Sequence, residues 1–173
     1  MRRPTLLILA VLTALLLASG AAVALTSVVS GGAINQVKVA RSDEPVLTDS
    51  NSYVDVPGAT VQVNVPAGTR ALLLARFSAE AICDTPSSGT GGTCSVRIVA
   101  VRNGTIQEFQ PSSEDTAFAG RQIRGSYSMD RSLLVNSGTY TVKAQYKARA
   151  FATEDPIFLA LHTRSLTVER AKA

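Results

Sequence analysis

Apolar and polar residues alternate with the two-residue period of a β-strand through most of this chain. The longest run starts at Ala71, where Ala71, Leu73, Ala75, Phe77, Ala79 and Ala81 share one face and Leu72, Leu74, Arg76, Ser78 and Glu80 the other. One face is apolar throughout; the other begins apolar and becomes wet. Cys83 continues the apolar set, and beyond a glycine-rich stretch Cys94 shares parity with Val96, Ile98 and Ala100. The pattern predicts two long strands over residues 69–102, paired with each other and joined by a loop over residues 84–93. A cross-strand disulfide between Cys83 and Cys94 would close that loop, a constraint on the unfolded chain of about 3 kcal/mol. Everything downstream is expected to pack against this hairpin.

Further strands surround it. Val61, Val63 and Val65 alternate with Thr60, Gln62 and Asn64, between turn signals at Pro57-Gly58 and Pro66-Ala67-Gly68. A shorter strand is expected at residues 53–56, and an edge strand at residues 36–41, where Val37 and Val39 face away from Lys38. Asn103-Gly104 is a two-residue hairpin turn, because both central positions favour positive φ. It returns the chain along residues 105–109, and residues 110–125 read as a long loop. Residues 126–135 lead to a turn at Asn136-Ser137-Gly138. Tyr140, Val142, Ala144, Tyr146, Ala148 and Ala150 then alternate with Thr141, Lys143, Gln145, Lys147 and Arg149. In the closing strand, residues 157–168, the alternation falters near His162–Ser165 and predicts a bulge or a partly covered edge. The charged tail from Glu169 is expected to fray. About eight to ten strands without a helical period define an all-β chain, an antiparallel β-sandwich or jelly roll.

The N-terminus changes the picture of where this domain works. Arg2 and Arg3 precede an apolar run from Leu6 to Ala18, and Ser19-Gly20 and Ala22-Val23-Ala24 follow. That order is a secretory signal over residues 1–24, with the mature chain beginning near Leu25. The longer stretch Leu6–Leu25 could also just span a bilayer as an uncleaved anchor; the Ser-Gly break and the Ala-x-Ala ending favour cleavage. An oxidising destination suits the only two cysteines, both in the body of the chain. Residues 25–52 read as a lead-in with the edge strand, residues 53–170 as the sandwich, and residues 171–173 as a tail. Without Arg2 and Arg3, 15 of the 17 Lys and Arg remain against 13 Asp and Glu. The charge is near balance, with no lysine–arginine run and no tryptophan. A nucleic-acid partner is not indicated, nor is a membrane span after cleavage.

Chemistry is sparse. The single histidine, His162, argues against a metal or hydrolase site, and no Gly-x-Ser-x-Gly elbow occurs. Glu114-Asp115 and Glu154-Asp155 lack calcium-loop spacing. Lys143, Lys147 and Arg149 form a modest basic row, read as a solvated strand face. No catalytic residue, metal ligand or cofactor is assigned. The sharpest expectation is an ion-pair network of Arg76, Glu80 and Arg131 on the wet half of the central sheet, weighed against separate exposed charges.

Several stretches carry a resemblance: Val65-Pro66-Ala67-Gly68, residues 71–80, Cys83, residues 94–98, Ser128-Met129-Asp130-Arg131-Ser132, and Gly138-Thr139-Tyr140-Thr141-Val142. They resemble uncharacterised secreted bacterial proteins, found especially in actinobacteria, with a signal peptide and a compact β-sandwich. The resemblance spans roughly residues 53–170 and implies no site residues. At the level of architecture the chain is also similar to the trimeric jelly-roll heads of the tumour necrosis factor and complement superfamily.

Three functions remain. The leading one is an exported, non-catalytic module that binds a protein or envelope component or assembles with itself, as a trimer by the second likeness. The others are a carbohydrate-binding module, disfavoured by the scarcity of aromatic platforms, and a secreted hydrolase resting on His162.

Overall fold

A computed structural model describes residues 30–84, 92–112, 117–120, 122–151 and 157–173. The expected signal at residues 1–24 lies outside them, as do most of the glycine-rich loop and both adjacent carboxylate pairs. Among the described residues are seven strands: β1 (Ile34–Ser42), β2 (Val46–Thr48), β3 (Val54–Asp84), β4 (Gly92–Arg102), β5 (Thr105–Glu108), β6 (Gly125–Ala150) and β7 (Phe158–Lys172). All pair antiparallel in the order β1-β7-β3-β6-β4-β5, with β2 also on β7. The all-β class follows directly from the alternation.

Two strands are far longer than the sequence signals suggest. β3 has 31 residues and β6 has 26. They pair along both halves, residues 70–81 against 125–136 and residues 60–65 against 138–143. The turn signals at Pro57-Gly58, Pro66-Ala67-Gly68 and Asn136-Ser137-Gly138 do not reverse the chain. Four residues of β3, 66–69, stand opposite Ser137 alone, and residues 56–59 stand opposite Ala144 alone. Such insertions bend and twist a strand without ending it. Gly58 and Gly68, at φ of 75° and 72°, supply the left-handed backbone that these bulges need. The eight to ten expected strands therefore merge into seven.

Each half of the β3–β6 ribbon gathers its own neighbours. Residues 71–84 of β3 pair with β7, which carries β1 and β2 at its other edge. Residues 141–150 of β6 pair with β4, which carries β5. The two halves face each other as a sandwich. Leu73, Phe77, Leu166 and Val168 from the first half share one buried cluster with Val63, Ile98, Val142 and Ala144 from the second. At roughly 25 cal/mol per Å² of apolar surface removed from water, this closure is the main favourable contribution to folding.

The disulfide forms between Cys83 and Cys94, but not across a paired hairpin. β6 lies between β3 and β4 in the strand order. Cys83 stands opposite Leu159 of β7, and Cys94 opposite Ala148 of β6. The bond thus ties one half of the sandwich to the other through the core. Alternation assigns each thiol an inner face correctly; it says nothing about which strand lies alongside.

The expected bulge in the closing strand is present: β7 shifts register between Leu161 and Arg164, opposite Ala79 and Ala81. Residues 169–171, expected to fray, instead pair with both β1 and β3, and Lys172 pairs with β3. Asn103 and Gly104 adopt φ of 50° and 79°, as their hairpin turn requires.

Candidate functional site

The outer face of the first half carries a groove of about 450 Å³. Its floor comes from Leu74, Ala75 and Arg76 of β3, Asp130, Arg131 and Ser132 of β6, and Thr167 and Glu169 of β7. Gln110 and Pro111 form one wall. They are held there because the chain leaving β5 bridges to β6: the Gln110 and Ser132 amides each donate to the other's carbonyl, at 2.8 and 2.9 Å. The Gln110-Pro111 bond is cis.

The floor is mixed in charge. Arg76 and Asp130 are register partners on adjacent strands, and Arg76 Nε donates to Asp130 Oδ1 at 2.7 Å. That hydrogen bond and the carboxylate charge push the Arg76 guanidinium further above its usual range, with a smaller push from Glu169. On the β1 side Val37 and Val39, opposite Glu169 and Thr167, are 54% and 45% exposed. An apolar margin therefore adjoins a charged trough.

The expected network is divided. Arg76 takes Asp130 as its partner, whereas Glu80 receives Arg124 Nε at 2.6 Å. Arg131 falls opposite Ala75, on the parity of the core, and its Nη1 donates to the Asp130 carbonyl at 2.9 Å. Arg76 and Arg131 do line the same groove; Glu80 is not among its lining residues. The parity of Arg131 could be read from the sequence. The roles of Asp130 and Gln110 could not, because they depend on which strands are neighbours.

The second half has its own charged outer face. Lys143 Nζ donates to Asp55 Oδ2 at 2.6 Å, and Gln145 Nε2 to Asp55 Oδ1 at 2.7 Å. Burial alone would raise the Asp55 pKa, but these donors and the charges of Lys143 and Arg97 outweigh it and hold the carboxyl below its usual range. Arg97 Nε donates to Gln145 Oε1 at 2.8 Å, and its Nη1 lies 3.6 Å from Glu108. The Arg97 guanidinium and the Lys147 ammonium sit 4.1 and 4.4 Å from the centre of the Tyr53 ring. Of the basic row, Lys143 and Lys147 are thus held charges, and Arg149 is exposed.

Tyr140 and Tyr146 are buried, as their parity requires. His162 is not among the groove-lining residues. It stands five residues from Thr167 along β7, roughly 16 Å at strand rise. No group of three or more metal-ligating side chains occurs among the described residues, and they contain no helix long and apolar enough to cross a membrane.

No family model and no curated protein matches the chain. The VP2 subviral particle of infectious bursal disease virus is similar at 15% identity and a TM-score of 0.43, over 83% of this chain and 34% of that one. The T13 viral particle of the same virus is similar at 13% identity and a TM-score of 0.38, over 86% of this chain and 37% of that one. Dimeric latent PorU from Porphyromonas gingivalis is similar at 15% identity and 0.27, over 85% of this chain and 14% of that one. The chain spans about a third of the viral chains, and no groove residue is assigned from them.

Proposed function

We propose that this chain is an exported, non-catalytic β-sandwich module that binds through the groove face of its first half, and that a further copy of the chain is what it binds there. The observation that carries this reading is the make-up of that face. Arg76 and Arg131 stand against Asp130 and Glu169 in one trough, beside the exposed Val37 and Val39. A contact between identical copies needs both members of each charge pair on one surface, so that each residue meets its complement on the partner. Exposed valines alongside give such a contact its apolar part.

Sedimentation of the mature protein tests this against the variant Thr167→Trp, which fills the groove from its floor. Loss of association in the variant, with an unchanged strand signal in circular dichroism, is the expected result. Association that survives a filled groove overturns the reading.

A further inference from the structure

The path of strands ends on β1, which pairs with β7 on one side. Among the described residues no strand lies along its other side, and no other segment gives β1 a backbone hydrogen bond. The register with β7 runs without a shift from Gln36 to Ser42, about 20 Å at strand rise. Along that length alternate residues turn their N–H and C=O outward with no strand beside them. The sandwich closes its other edges. β5 has only four residues, and residues 54–65 of β3, which pair with β6 alone, carry Pro57 and a bulge at Gly58. Short length, proline and bulges are ordinary ways of blocking an edge. Residues 36–42 have none of these, and their one guard is the charge of Lys38.

That charge selects a partner rather than refusing all of them. Val37 and Val39, 54% and 45% exposed, share the outer face with Arg41, and Lys38 points the other way. Lys38 and Arg41 are both exposed, and neither has an ion pair among the described residues. β1 itself contains no carboxylate. Glu169, opposite Val37, acts on Arg76, while Asp43 and Glu44, past the end of the strand, act on Arg164. A second copy of β1 laid along this edge would bring another lysine and arginine and no acid. A strand that carries its own acids meets the two cations with their complement.

We propose that β1 accepts an added antiparallel strand from another protein, an extended segment with apolar side chains opposite Val37 and Val39 and carboxylates opposite Lys38 and Arg41. Main-chain hydrogen bonds to the open edge supply the affinity, and the four side chains the choice of segment. The contact is made at the edge by a single chain, so it does not depend on a further copy in the groove.

The probe is the labelled peptide Thr-Glu-Thr-Val-Glu-Val-Thr, which fits residues 42 to 36 in antiparallel order, titrated by fluorescence anisotropy against the protein without residues 1–24. The acidic peptide is expected to bind, more weakly in added salt, and its counterpart with lysine at both glutamates is not. Lys38→Glu/Arg41→Glu should lose about ten-fold or more in affinity for the acidic peptide and gain the lysine peptide, a reversal that a folding defect would not produce. Two N-methylated forms of the acidic peptide, each blocking alternate amides, separate strand pairing from charge alone. The form whose blocked amides face β1 should fail, and the other should still bind. The proposal is overturned if the acidic peptide does not bind, if the two methylated forms bind alike, or if the charge-reversed variant keeps the parent's preference. A variant that changes the protein's own mass in light scattering while no peptide binds would assign the edge to a second copy and overturn it too.

Discussion

Arg164 reaches from the bulge of β7 to the carbonyl of Pro57, donating from Nε at 2.9 Å and from Nη2 at 2.7 Å. Its third arm, Nη1, donates to the Glu44 carbonyl. Pro57 belongs to the other half of the sandwich, and Glu44 to the turn between β1 and β2. One guanidinium, 4% exposed, therefore joins three segments that the sheet ladder does not. Burial pulls its pKa below the usual arginine range, and nearby Tyr146, Glu44 and Asp43 counter that pull.

Removing this fork leaves a void and orphans its acceptors. Arg164→Met is expected to lower stability by about 2–3 kcal/mol. Arg164→Lys should recover only part, because an ammonium cannot serve the same planar set of acceptors. Urea unfolding of the three proteins reads both values; a loss below about 1 kcal/mol for Arg164→Met would contradict the bridging role.

The disulfide has a comparable weight. Its sequence separation is 11, for which loop closure contributes about 3 kcal/mol. Because the bond joins the halves, Cys83→Ala/Cys94→Ala should also raise amide exchange on both β3 and β4 near residues 81–84 and 92–96. Exchange that rises on one strand only would argue against the inter-sheet link.

Exposed ion pairs contribute far less. Glu80→Lys repels Arg124 yet leaves Arg76 with Asp130, so its cost should stay within about 1 kcal/mol. A larger loss, measured by thermal unfolding, would mean that the two pairs act as one network after all.

Asp55 gives a pH signature. Its folded pKa lies below the ordinary 3.8, so the stabilisation it brings is complete above that value and is lost as pH falls through the folded pKa. The stability gap between the parent and Asp55→Asn is expected to be constant near neutrality and to close below about pH 4. A gap that widened on acidification would reverse the sign of this account.

Gly92 is a packing position. A Cβ there would collide with the Arg149 carbonyl oxygen and sit 2.7 Å from Ile157 Cδ1. Gly92→Ala is expected to cost about 2 kcal/mol or more in denaturant unfolding, since overpacking displaces backbone.

The sequence and the structure agree most closely on faces. Every alternate residue from Ala71 to Cys83 is buried, as its parity requires. They part on neighbours. Pro66-Ala67-Gly68 has the composition of a turn, yet an uninterrupted β6 holds its pairing on both sides and absorbs the extra residues as a bulge. Composition cannot separate these outcomes, because both need a positive φ at glycine. The same blindness placed Cys83 and Cys94 on paired strands. The lapse in alternation near His162 did report something real, a buried arginine at a core position. Its acceptors, Pro57 and Glu44, are more than a hundred residues away in the chain, beyond the reach of local pattern. The groove was legible only as Arg76 and Arg131; Gln110 and Glu169 join them through strand order.

The central claim, that the groove face meets a further copy of the chain, is tested most directly by light scattering of the protein without residues 1–24 across a dilution series under oxidising conditions. The account predicts a mass above that of one chain, falling toward it on dilution, with the plateau giving the number of copies. A single-chain mass at every concentration would contradict it.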